Sequence, residues 1–274
     1  MRAAAETGGS TGYLDTPHGR LRWAARGRAD APPLLVLHGM GDSLGGWAQA
    51  ALPLLLRFRV HLLDLPGHGL SGAPPDWRLG TLVAAVRTYA RALDRPLIVG
   101  HSLGGWLAVR LLQVPPRDAP PALFAPPIDA AGLVLVNPAG MLPQQAEWDP
   151  FLQLVQASDA RGARAYLRHA FHAPPLALRM FPGEVVAAMR AESTRGFLGG
   201  LAAGDFLAPE ELAALRLPLR LVWGESDRLL PAGTLEFFRR HLPAHDFVPI
   251  ARSGHMPHLE APLRLARAIA ARLR

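Results

Sequence analysis

The sequence predicts an α/β fold, a mostly parallel central sheet flanked by helices, with a helical cap inserted in its second half. Three observations carry that expectation. Short apolar runs alternate with stretches of helical periodicity, the signature of parallel strands joined by crossover helices. Most of those runs end in Gly, Asp, Asn or His, residues suited to the turns that follow strands. One long interval shows no strand pattern, and a structureless loop of that length does not fit inside a compact domain.

Taken in chain order, Tyr13 to Ala25 reads as an antiparallel pair at the sheet's edge. Leu34 to Leu37 is a buried strand ending in His38-Gly39, and Val60 to Leu63 is another ending in Asp64. Leu97 to Val99, Leu133 to Val136, Leu219 to Trp223 and Asp246 to Ile250 supply the remaining strands. Helices are expected at Gly46 to Leu56, Leu79 to Leu93, Leu103 to Gln113, Ala232 to His241 and Pro257 to Leu273. Between Asn137 and Leu219 the pattern is helical and punctuated by Pro143, Pro150, Pro174, Pro175, Pro182 and Pro209. Residues 141–216 are therefore expected to form a cap, or lid, over a core made of residues 1–140 and 217–274.

Composition narrows the chemistry. The 274 residues allow one large domain with or without an inserted subdomain, and 50% hydrophobic content is ample for a packed core. With no Cys there is no disulfide framework, thiolate nucleophile, iron-sulfur cluster or thiolate zinc site. All 29 basic residues are Arg and the formal net charge is +7, which would suit a polyanionic partner if the arginines clustered. They alternate with Ala and Leu along the whole chain instead. A single Asn and no Lys point to codon bias, and no nucleic-acid partner is expected. Met1 to Gly12 has no apolar signal-peptide core, and no apolar run approaches the roughly 20 residues of a membrane helix. A cytoplasmic protein without an integral membrane segment, monomeric or homodimeric, is the expectation.

The strongest motif is Gly100-His101-Ser102-Leu103-Gly104, directly after one strand and before one helix. A G-x-S-x-G sequence at such a turn is a nucleophile elbow, whose glycines permit the backbone crowding that presents a Ser hydroxyl at a helix N-terminus. A serine hydroxyl needs a base to take its proton and a third group to fix the base's tautomer. Asp227 follows the Leu219 to Trp223 strand and His255 follows the last strand, which gives the chain order Ser, Asp, His. Glu225 is the rival acid and His258, three residues after His255, the rival base. The position after the Leu133 to Val136 strand carries Asn137, which cannot be charged. His169 and His172 fall in the cap without an accompanying carboxylate and are read as packing or surface groups. The oxyanion of an acyl-transfer intermediate needs two backbone N–H donors; Leu103 and Met40 are expected to supply them, with Gly41 as rival to Met40 and His38 shaping that loop.

Together these residues resemble the α/β-hydrolase superfamily, and within it the capped serine esterases and lipases. The matching pieces are His38 to Ser43, Asp64 to Ser71, Gly100 to Gly105, Trp223 to Asp227 and Gly254 to Glu260, in family order. In that family the Asp64 to Ser71 stretch is a structural turn. Members that open epoxides or remove halides carry Asp where this chain has Ser102. The resemblance implies a catalytic triad of Ser102, Asp227 and His255 hydrolysing carboxylic esters through an acyl-enzyme, with no metal and no organic cofactor. The expected partner is a small apolar ester, because Trp148, Phe151, Leu152, Phe171, Met180, Phe181, Met189, Phe197, Leu198 and Phe206 give the cap enough apolar surface to line a pocket. The alternatives are a carbon–carbon bond hydrolase of ring-cleavage diketones, or a non-catalytic binding protein on the same fold.

Overall fold

In the computed structural model, which describes residues 9–113 and 126–273, eight strands form one sheet. Most of the Met1 to Gly12 segment lies outside the described residues. The strands are β1 (Ser10–Thr16), β2 (Gly19–Arg26), β3 (Pro33–Leu37), β4 (Arg59–Leu63), β5 (Leu97–His101), β6 (Gly132–Val136), β7 (Leu219–Gly224) and β8 (Asp246–Ile250). Their order is β1-β2-β4-β3-β5-β6-β7-β8. The edge pair β1 and β2 is antiparallel, as is β2 with β4, and every pairing from β4 through β8 is parallel. The central strands β5, β6 and β7 are buried along their whole length, as strands covered by helices on both faces must be.

The period-two alternation of β3 divides the core. Leu35 and Leu37 point to the face covered by α2 (Leu79–Ala90) and α3 (Leu103–Leu112), where Leu82, Val86, Leu107 and Leu111 are fully buried. Leu34 and Val36 point to the opposite face, packed by Trp47, Leu54, Leu265 and Ile269. Two expected helices are broken. Gly46 to Leu56 is a short α1 (Ala48–Ala51) between two 3₁₀ turns, with Pro53 at the start of the second. Pro257 to Leu273 is split into α11 (Pro257–Glu260) and α12 (Pro262–Ala270), because Pro262 has no N–H to continue the first helix.

Between β6 and β7 the chain forms only helices among the described residues: α4 (Gln145–Val155), α5 (Ala160–Ala170), α6 (Leu176–Met180), α7 (Pro182–Arg190), α8 (Glu192–Gly200) and α9 (Pro209–Ala213). They are short because prolines open α7 and α9 and flank α6, while Asp159 caps α5 by accepting the Gly162 N–H at 2.7 Å. The apolar faces of the insertion, including Val155, Phe171, Met189 and Phe197, are continuous with the core on the α2 and α3 side. The remaining helix, α10 (Thr234–His241), lies between β7 and β8.

Candidate active site

The turn from β5 into α3 holds Ser102 at φ +52° and ψ −118°, an unfavourable backbone conformation for a residue with a Cβ. Two things over-determine it. The Ser102 N–H donates to Val136 O at 3.1 Å, and the Ser102 carbonyl accepts from Gly105, Trp106 and Ala139. Gly104 is required because a Cβ there would run into the carbonyls of Leu37 and His38, where α3 meets β3.

Asp227 and His255 come from loops that hydrogen-bond to each other. After β7, Glu225 N–H donates to Ile250 O at 3.2 Å and Ser226 N–H to Ser253 O at 2.8 Å, so the two loops are laid side by side. The His255 N–H is anchored on Ala170 O at 2.7 Å, and His101 donates from Nε2 to the His255 carbonyl at 2.7 Å. His255 Nδ1 donates to Asp227 Oδ2 at 2.8 Å, with the two side chains 3% and 1% exposed. That bond puts the proton on Nδ1 and leaves Nε2 as the basic nitrogen. Ser102 Oγ makes no hydrogen bond among the described residues.

The Asp227 carboxylate is fully supplied with donors. Oδ1 accepts the N–H groups of Leu229 and Leu230 at 2.9 and 3.3 Å, and Oδ2 is shared by His255 and Asn137 Nδ2, the latter at 2.7 Å. Burial opposes its ionisation, yet His255, the Leu229 N–H and Asn137 outweigh it and hold the carboxyl below the usual range. Asn137, at φ +41°, also accepts the Gly224 N–H at 3.1 Å, so it ties the end of β6 to the end of β7. Sequence reasoning passed over this residue because it sought a charge there. The signal was present: the chain's only Asn stands at a strand end.

The rivals are placed elsewhere. Glu225 is exposed, whereas His258 is completely buried with Nε2 3.1 Å from Asp42 Oδ2. His169 Nδ1 bonds Ala165 O and His172 Nδ1 bonds Ser226 Oγ, each at 2.8 Å. His38 Nδ1 donates to Gly39 O at 2.7 Å while its Nε2 accepts the Leu65 N–H at 3.0 Å, which fixes a neutral tautomer. Burial lowers its pKa in agreement. Asp64 accepts the N–H groups of Leu44 and Leu70 at 2.7 and 2.9 Å, and so acts as a loop anchor.

Asp42, His101 and His258 form a carboxylate and imidazole group whose ligand atoms lie within 4.8 Å of one another. The edge of a tetrahedral zinc site is only about 3.4 Å, so gripping one ion would require these packed side chains to move.

Ser102, His255, Met40, Gly41 and Leu103 all line one cavity of about 250 Å³. Its walls are apolar and come mainly from the insertion: Trp148, Phe151, Phe171, Met189, Phe197, Leu198 and Phe206. Leu152 packs on the core instead, and Met180 and Phe181 are 63% and 62% exposed. Of the α6 residues only Leu178 lines the cavity.

Residues 34–268 match the model of the Alpha/beta hydrolase family. A pimeloyl-acyl-carrier-protein methyl ester esterase from Nitrosomonas europaea is 30% identical over 85% of this chain and 92% of its own length. Among solved structures, a membrane phospholipase A described as a bacterial virulence factor is 25% identical, with a TM-score of 0.77 over 95% of this chain and 84% of that one. The naproxen esterase of Bacillus subtilis shares the fold, with a TM-score of 0.75 at 21% identity over 96% and 90% of the two chains.

Proposed function

The chain belongs to the alpha/beta hydrolase family, and we propose that it is a serine esterase of the carboxylesterase and lipase kind, acting on carboxylic esters with apolar acyl or aryl groups. The observation that supports this most is the buried His255–Asp227 pair, whose imidazole lines the same apolar cavity as Ser102. Similarity to an esterase of a methyl ester favours ester bonds as the target.

In this reading His255 Nε2 takes the Ser102 hydroxyl proton as Oγ adds to the ester carbonyl. The oxyanion is held by the N–H groups of Leu103 and Met40, each such donor supplying about 3 kcal/mol. Collapse breaks the carbon–oxygen ester bond, the alcohol leaves with the proton from His255, and the acyl group remains on Ser102. Water then adds with His255 as base, and the second collapse returns the proton to Ser102 and frees the acid. Asp227, ionised and saturated with donors, orients His255 and stabilises its cationic form. Residues 141–216 serve as the cap that encloses the acyl group over a core of residues 1–140 and 217–274.

A fluorophosphonate probe is expected to label Ser102 and to leave Ser102→Ala unlabelled, with turnover of p-nitrophenyl esters falling by about 10⁴-fold or more. Across acyl lengths, kcat/KM should rise from acetate to longer chains. Equal labelling of the variant would remove Ser102 as nucleophile, and equal turnover of acetate and bulky apolar esters would remove the apolar substrate.

A further inference from the structure

The two proposed oxyanion donors differ in how they are held. Leu103 opens α3 and moves with the nucleophile elbow. Met40 sits between Gly39 and Gly41, the latter at φ +73°, on a loop whose backbone has little intrinsic rigidity. An oxyanion hole works only if both N–H groups are fixed before the charge develops, so this loop needs an outside anchor.

The anchor is a side chain. Asp42 closes the loop: its N–H donates to Gly39 O at 3.3 Å, and its Oδ1 accepts the Ser43 N–H at 2.7 Å. Oδ2 lies 3.1 Å from His258 Nε2, near enough for an ion pair but not aligned as a hydrogen bond. His258 has no freedom to turn away. Its ring stacks on Trp47 at 4.8 Å and 3°, and the His101 ring lies 4.8 Å from it at 59°. His101 in turn donates to the His255 carbonyl, and His258 itself follows His255 by three residues at the start of α11. One buried imidazole thus stands between the loop carrying Met40 and the loop carrying His255.

We propose that Asp42 and His258 are positioning residues, a buried strap that fixes the Met40 N–H relative to Ser102 and His255. The strap deepens the serine-esterase reading and rests on it. Packing alone is a poor account of the pair, because burying a carboxylate is costly where apolar side chains of the same volume are not. A carboxylate held by the Ser43 N–H on one oxygen, with an imidazole 3.1 Å from the other, ties the loop to a fixed ring by charge, which apolar contact does not. Burial disfavours the Asp42 carboxylate, but His258, His38 and the Ser43 N–H together keep it ionised.

Two measurements on the full chain test the strap, with Asp42→Asn and His258→Gln compared with the unaltered protein. Amide hydrogen exchange of residues 38–44, read by mass spectrometry, is expected to quicken by about tenfold in both variants while β3 keeps its protection. With a p-nitrophenyl ester, kcat is expected to fall by about tenfold or more with KM within about twofold, the pattern of lost transition-state positioning. The double variant should lose no more than the worse single variant, since each substitution removes the same contact. Unchanged loop exchange, unchanged kcat, or losses that multiply in the double variant would each overturn the strap. Should His258→Gln not fold, the isosteric Asp42→Asn carries both measurements. Failure of the unaltered protein to take fluorophosphonate on Ser102 would sink the esterase reading separately, and the exchange measurement would still decide whether the strap holds the loop.

Discussion

The floor of the cavity, contributed by loops after β3, β5, β7 and β8, carries Ser102 and His255 and is dense in hydrogen bonds, whereas its walls, contributed largely by α4 to α8, are apolar and held by side-chain packing. Backbone bonds fix two of the floor residues, Ser102 on Val136 O at the end of β6 and His255 on Ala170 O at the end of α5, so one wall helix also holds the floor. The walls meet the floor at a joint: Trp106 of α3 donates from its indole to Asp205 O at 3.0 Å and stacks on Phe206 at 5.0 Å. Arg110 of the same helix donates to the carbonyls of Asp205 and Phe206 and pairs with Glu211. The residues of the proposed triad thus stand at the ends of strands, while the apolar lining comes from helices packed over them, of which α5 also anchors the His255 N–H.

The sharpest break in that comparison is expected at the floor. Asp227→Asn preserves the shape of the side chain but removes the charge facing His255 Nδ1, and kcat should fall by about 10⁴-fold with the melting temperature little changed. A loss of less than about tenfold would mean that another group orients His255.

Acid should weaken the core under the floor next. Burial lowers the pKa of His38, His61, His68 and His101, with His61 and His68 brought down to about 4. Because the unfolded chain takes up these protons near pH 6.5 and the folded one does not, stability is complete above that pH and is lost as pH falls toward about 4. Fully buried His68 alone is worth roughly 3 kcal/mol across that window. Denaturant midpoints at pH 7 and pH 4.5 check it, and equal midpoints would refute the neutral buried histidines.

The walls should give the smallest and most selective effect. Phe206→Ala removes a ring that stacks on Trp106 and meets Trp148 edge-on at 5.8 Å. It is expected to cost about tenfold in kcat/KM for long-chain or aryl esters and little for acetate. A uniform loss across esters would place Phe206 with the floor rather than the walls.

Strands and elbow were readable because their signals are local. β3 through β8 are short apolar runs closed by turn residues, and the antiparallel edge pair shows the same alternation. The breaks at Pro53 and Pro262 were readable too and went unused, since the helical periodicity runs on through them. The outward placement of Met180 and Phe181 was not legible, because it depends on how the five-residue α6 and the turn after it are set on the core.

By itself the sequence determined the class of fold, the order of its elements and the turn that presents Ser102, because hydrophobic period and glycine placement act over a few residues. Tertiary structure alone decided which polar groups meet: Asn137 with Asp227, and Asp42 with His258 far along the chain. Those pairings depend on how strands are ordered in the sheet and how loops cross at its edge. No local pattern carries that information, since the partners come from separate strand-end loops and are brought together only when the whole core has packed.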